Sequence, residues 1–124
     1  MLGASHRVLR PAGRLAFHTI ELPPGLARAK RRRAISIGPP AVTVRTSYLG
    51  LLQSAGFIEV DAVDLTAEYL ATQHRWLAAT LHHEEGLRVA LGDDAVGAGI
   101  ERRQRTVNAI EEGLLLRTLY TATR

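Results

Sequence analysis

His18, Thr19 and Glu21 close a short apolar run, and they are the residues of this 124-residue chain best suited to chemistry. An imidazole titrates near neutral pH, so His18 can act as a general base that takes a proton from a hydroxyl or an amine. Ligands of open α/β sheets bind beyond the carboxyl ends of the parallel strands. His18, Thr19 and Glu21 occupy that end of a strand read from Arg14 to about Ile20, where an acceptor substrate would approach. A second group is Arg28, Lys30, Arg31, Arg32 and Arg33, five positive charges in six positions. Such a run can neutralise phosphates of RNA, DNA or an anionic small molecule. It has no aromatic residue to stack bases, and the more ordinary reading is a solvated loop. His74, Trp76, His82 and His83 invite a metal or aromatic-cage reading. Adjacent histidines point about 100° apart on a helix and no HExxH spacing is present, so no metal site is expected. Trp76 reads as a core or interface residue. There is no G-x-S-x-G, P-loop, paired-carboxylate or G-x-G-x-x-G motif, which leaves hydrolase and nucleotide-triphosphate chemistry without support.

The elements that must position these groups follow from composition and period. The apolar share of 46% is ordinary for one globular domain spanning residues 1–124. Cysteine is absent, which is compatible with a reducing compartment, and no stretch approaches the roughly 18 apolar residues of a membrane span. A cytoplasmic protein without a membrane partner is the expectation. The net charge of +4 falls to −1 once the five cations of the basic run are removed, so the basicity is local.

In chain order, a helix to Leu9 must stop before Pro11. Gly13 then allows a turn into a strand, whose Leu15, Ala16, Phe17 and Ile20 predict burial on both faces. From Pro23 to Pro40 the prolines, glycines and self-repelling charges predict a long, mobile loop. Thr46 or Ser47 can cap a helix carrying Tyr48, Leu49, Leu52 and Ala55, which Gly56 ends. Ile58, Val60 and Ala62 alternate with acids as an edge strand does. From Thr66, a candidate cap, the pattern is helical to Gly113, with a second helix starting near Asp93 or Asp94 and carrying Val96, Ile100, Val107 and Ile110 as a stripe. The segment LLLRTLYTA has the composition of a closing strand.

Three stretches carry a family resemblance. RVLRPAGRLAF resembles the entry to the fifth strand of class I S-adenosylmethionine-dependent methyltransferases, with Ala12 in place of the first of two glycines. YLGLLQSAGFIEV looks like the following helix and sixth strand, and EGLLLRTLYTA like the final strand. The glycine-rich loop and the ribose-binding acid of the family have no counterpart. The resemblance therefore implies an α/β fold: an incomplete Rossmann-like methyltransferase sheet from the fifth strand onward. It would have three strands, a parallel pair plus an antiparallel closing strand, in the order first, third, second, with residues 66–113 as a helical insertion.

The function implied is that of a methyltransferase-like protein with an unknown acceptor, inactive in isolation. S-adenosylmethionine is the implied cofactor but is not expected to bind this chain alone, and no residue is assigned to it. Methyl transfer needs little beyond alignment, so the lack of a catalytic set is no objection. The alternative is a non-catalytic fold remnant that oligomerises and touches an anionic partner through residues 28–33. The expected partner is a second copy, through the free strand edge or the helical stripe, or an amino-terminal half on another chain.

Overall fold

The computed structural model describes residues 2–39 and 47–124. Helix α1 spans Leu2–Val8 and ends ahead of Pro11 as the sequence requires. In the turn that follows, it is Ala12 that takes the left-handed conformation, with φ 64°. Gly13 is needed for space instead: a Cβ there would lie 2.7 Å from the Arg10 carbonyl oxygen, to which the Gly13 N–H donates.

Strands β1 (Arg14–Glu21), β2 (Ile58–Asp64) and β3 (Leu116–Thr123) form one sheet in the order β1-β3-β2. Both outer strands run antiparallel to β3 and hence parallel to each other, as expected. The β1–β3 register is unbroken from Arg14 opposite Thr123 to Glu21 opposite Leu116. β2 slips between Ile58 and Asp61, where Glu59 adopts φ 50°, a bulge that bends an edge strand. Among the described residues, the outer edges of β1 and β2 have no partner strand.

One sheet face is covered by α1 and α3 (Tyr48–Ser54). The Ser47 hydroxyl accepts from the Gly50 N–H at 3.1 Å and caps α3, while Thr46, the other candidate cap, lies outside the described residues. Leu52, Phe57, Tyr120 and Ala122 form the core on this side, joined by Leu2, Leu9, Leu15, Phe17 and Val60. Gly56 ends α3 at φ 98°, close under the His6 ring. The opposite face explains why β1 is not buried on both sides. Ala16, His18 and Val63 are exposed there, because the packing on that side gathers at the strand end, where Arg117 lies over Tyr69.

The helical stretch is three helices rather than two: α4 (Thr66–His82), α5 (Glu84–Leu91) and α6 (Asp93–Glu111). The start at Asp93 is as expected. Leu65 holds the N-cap position of α4, and Asp64 just before it satisfies the helix start: its carboxylate accepts from both the Thr66 amide and hydroxyl, and Thr66 itself is inside the helix. Val96, Val107 and Ile110 are buried within the chain, so that stripe is not free to pack against a second copy. Trp76 is not core either: it is 54% exposed, with the Arg103 guanidinium 5.1 Å above its ring.

The largest departure from expectation is the basic run. Residues Arg28–Ile37 form helix α2, not a mobile loop. No glycine or proline falls between Gly25 and Gly38, so the breakers bound a helix instead of preventing one. Ala34 anchors it, fully buried against Tyr69, Ala109, Ile110, Leu114 and Leu115. Arg33 adds a two-pronged bond to Glu112, at 2.6 and 2.8 Å.

Candidate acceptor site

Because strand side chains alternate, the three residues read together in the sequence divide between two faces. His18 projects on the exposed face beside Arg117; Thr19 and Glu21 project on the face toward α3, in register with Thr118 and Leu116. The structure therefore brings Thr19 and Glu21 into one cluster and leaves His18 out of it.

On the α3 face, Phe17, Tyr48 and Tyr120 form a triangle of rings with centroids 5.4 to 5.7 Å apart. The buried Tyr120 hydroxyl reaches along the strand and donates to both carboxylate oxygens of Glu21, at 2.8 and 2.9 Å. Burial, and then the bond to this carboxylate, make the Tyr120 phenol a much weaker acid than usual. Tyr48 shifts the same way, by burial first and by the Glu21 charge second. Both phenols are therefore neutral donors at ordinary pH, and Glu21 is held with lone pairs to spare. On the same face, the Thr19 hydroxyl is buried with no hydrogen-bond partner. A carboxylate held beside aromatic rings can accept from and align an amine or a hydroxyl.

On the other face, an Arg117 guanidinium nitrogen donates to His18 Nδ1 at 2.8 Å. A guanidinium only donates, so Nδ1 carries the lone pair and the neutral ring holds its proton on Nε2. Arg117 is itself stacked over Tyr69, 5.4 Å from the ring centre. In this state His18 presents an N–H donor to solvent rather than a proton acceptor.

Sequence reasoning missed Arg117, Tyr120 and Tyr48. Each acts across strands or from the start of α3, so only the β1–β3 register reveals its partner. The alternation in Arg117, Thr118, Leu119 and Tyr120 is the signal, legible once the strand pairing is known. The basic residues are also redistributed. Arg33 is tied to Glu112, whose carboxyl that bond holds below its usual range, while Arg28, Lys30, Arg31 and Arg32 are exposed on α2. His82 and His83 meet edge to face at 4.8 Å, and no group of three metal-ligating side chains occurs among the described residues. No helix of the described residues is long and apolar enough to cross a membrane.

No family model matches the sequence, and no curated protein matches it either. Solved structures do match the fold. Phosphoethanolamine N-methyltransferase 2 of Haemonchus contortus, in complex with S-adenosyl-L-methionine, aligns over 99% of this chain and 29% of its own. The TM-score is 0.85 at 11% identity. A cyclopropane synthase of Mycobacterium tuberculosis aligns over 99% of this chain and 48% of its own, with TM-score 0.74 at 16% identity. A sarcosine dimethylglycine methyltransferase from Galdieria sulphuraria gives 98%, 45%, 0.78 and 11% for the same measures. The chain thus has a fold shared with part of S-adenosylmethionine-dependent methyltransferases, and it spans between 29% and 48% of the length of these three.

Backbone donors for an anionic ligand are sparse just ahead of α2. The turn from β1 to α2 holds one glycine, Gly25, and two prolines, Pro23 and Pro24, whose missing N–H groups remove donors that a carboxylate would need. The Gly13 N–H is already spent on Arg10.

Proposed function

We propose that this chain is the carboxyl-terminal, acceptor-side portion of an S-adenosylmethionine-dependent methyltransferase whose cofactor-binding half lies outside these 124 residues. The observation that carries the reading is the Glu21 carboxylate, pinned by Tyr120 at the carboxyl end of β1. That is the end where ligands of open α/β sheets bind. The fold likeness supports it independently.

In this reading Glu21 accepts a hydrogen bond from the amine or hydroxyl of an acceptor and can take its proton, and Tyr120 fixes the carboxylate's direction. His18 is a donor at the rim rather than the general base, since Arg117 occupies its Nδ1. The absent half supplies the methyl donor; what these residues contribute is alignment.

A second reading, a non-catalytic remnant that pairs with itself, is favoured by the unpaired outer edge of β1. A bare strand edge is a template for another strand. A symmetric dimer through that edge, in the cytoplasm, is its simplest form.

Titration calorimetry of the isolated chain with S-adenosylmethionine tests the first reading. The expected result is no saturable heat. A dissociation constant near 1 μM, about −8 kcal/mol of binding free energy, would place a cofactor site in this chain and overturn it.

A further inference from the structure

The helical side of the molecule holds a cavity between α2 and α6, away from the acceptor side of the sheet. Ser36 and Ile37 at the end of α2 and Arg102 and Arg105 on α6 line a cavity of about 340 Å³. At about 30 Å³ per water molecule in the liquid, that is room for roughly eleven waters, enough for a phosphate with a short organic group attached. Neither Arg102 nor Arg105 forms a side-chain hydrogen bond or ion pair among the described residues. Glu101, four residues before Arg105, is not bonded to it, and the nearby carboxylate of Glu112 is committed to Arg33. Ile37 gives the cavity an apolar wall. The Ser36 hydroxyl donates to the Arg33 carbonyl, so its proton is already committed and the donors facing an anion are the two arginines.

We propose that this cavity binds a phosphomonoester dianion between Arg102 and Arg105. Two guanidiniums three residues apart on a helix lie on one face, and a guanidinium matches a phosphate through paired N–H donors. The carboxyl end of α2 opposes an anion, but its partial charge, about half an elementary charge, is smaller than two full cations. The proposed site lies in the groove between α2 and α6. Arg102 and Arg105, though exposed, both line it, whereas Arg28, Lys30, Arg31 and Arg32 do not.

Calorimetry with glycerol 3-phosphate and with inorganic phosphate tests the site, and vesicles of phosphatidic acid in phosphatidylcholine distinguish a lipid source of the same headgroup. The expected result is saturable binding of glycerol 3-phosphate, weakened about tenfold or more in R102Q and in R105Q separately, since each loses a hydrogen bond to a charged group. The double variant R31Q/R32Q, which removes equal charge outside the cavity, should bind within twofold of the parent. If the site serves a lipid, the chain pellets with phosphatidic acid vesicles and is released by glycerol 3-phosphate; if it serves a free phosphate ester, it does not pellet. Thermal melting without ligand checks that each variant is folded, and the two single variants guard against loss of one. Absence of saturable binding to glycerol 3-phosphate overturns the proposal. So does an equal loss in R31Q/R32Q, which would mean diffuse charge attraction.

Discussion

Replacing Tyr120 with phenylalanine isolates the bond that shapes the acceptor site. The Tyr120 side chain is 6% exposed and donates to both oxygens of Glu21. Burial and this bond raise the folded-state pKa of the phenol. A raised folded pKa means that the stability it contributes is complete below the unfolded value, about 10, and is lost as pH climbs above it. At pH 11 an unfolded tyrosine is about nine-tenths ionised while the folded one is still protonated, a loss of about 1.4 kcal/mol. Y120F has no phenol to ionise and escapes this component. At pH 7 the variant lacks a hydrogen bond to a charged acceptor, about 1.5 kcal/mol, the low end of the range because water can reach Glu21. Urea unfolding of both proteins at the two pH values reads the difference directly, provided their denaturant slopes agree. The gap between parent and variant should shrink by about 1.4 kcal/mol from pH 7 to pH 11. A gap that stays constant would mean that the phenol ionises normally and that Glu21 is not held by it.

Other consequences are smaller but as direct. Ala12→Gly should stabilise the protein by up to about 1 kcal/mol in urea, because Ala12 holds a left-handed φ of 64° at a cost glycine does not bear; a destabilised variant would contradict this. Asp64→Ala should cost about 1 kcal/mol of helix capping. The bonds from Thr66 lower the Asp64 carboxyl's pKa, so that contribution is present above about pH 4 and fades as the solution is made more acid, a fade the variant should lack. Leu52→Ala, at a fully buried position, should lose about 2–5 kcal/mol; a loss below 1 kcal/mol would place Leu52 outside the core. Nitrogen chemical shifts of the His18 ring should show an unprotonated Nδ1 in the parent and a mixture of tautomers in Arg117→Met. A protonated Nδ1 in the parent would contradict the assigned bond.

Much of the architecture could be read from local chemistry. Pro11, Gly56, Asp93 and Gly113 punctuate the chain where their backbone preferences dictate, and the strand order followed from a family resemblance in the right sequence of motifs. What failed did so for nonlocal reasons. The stretch from Arg28 to Ile37 looks self-repelling in isolation, yet one small residue, Ala34, allows close packing on α6, and Glu112, distant in sequence, absorbs the charge of Arg33. β1 looks buried on both faces because its composition is that of a strand inside a larger sheet, while in this chain one face holds exposed Ala16 and His18. For the site, residue type was legible and grouping was not. His18, Thr19 and Glu21 are neighbours in sequence, but the two-residue period of a strand separates the first from the others, and Arg117 and Tyr120 reach them only through cross-strand register.

The central claim is that, among the described residues, the sheet is open at β1, the edge at which the proposed reading adds further strands. Amide hydrogen exchange on the isolated chain, at a concentration where sedimentation finds only monomer, tests it most directly. Every second N–H of β1 points away from β3, so exchange along β1 should alternate between fast and slow, while β3, paired on both sides, should be protected along the stretch from Thr118 to Thr121 that both neighbours flank. Uniform protection along β1 in the monomer would mean that the chain covers its own edge, and the account would be wrong.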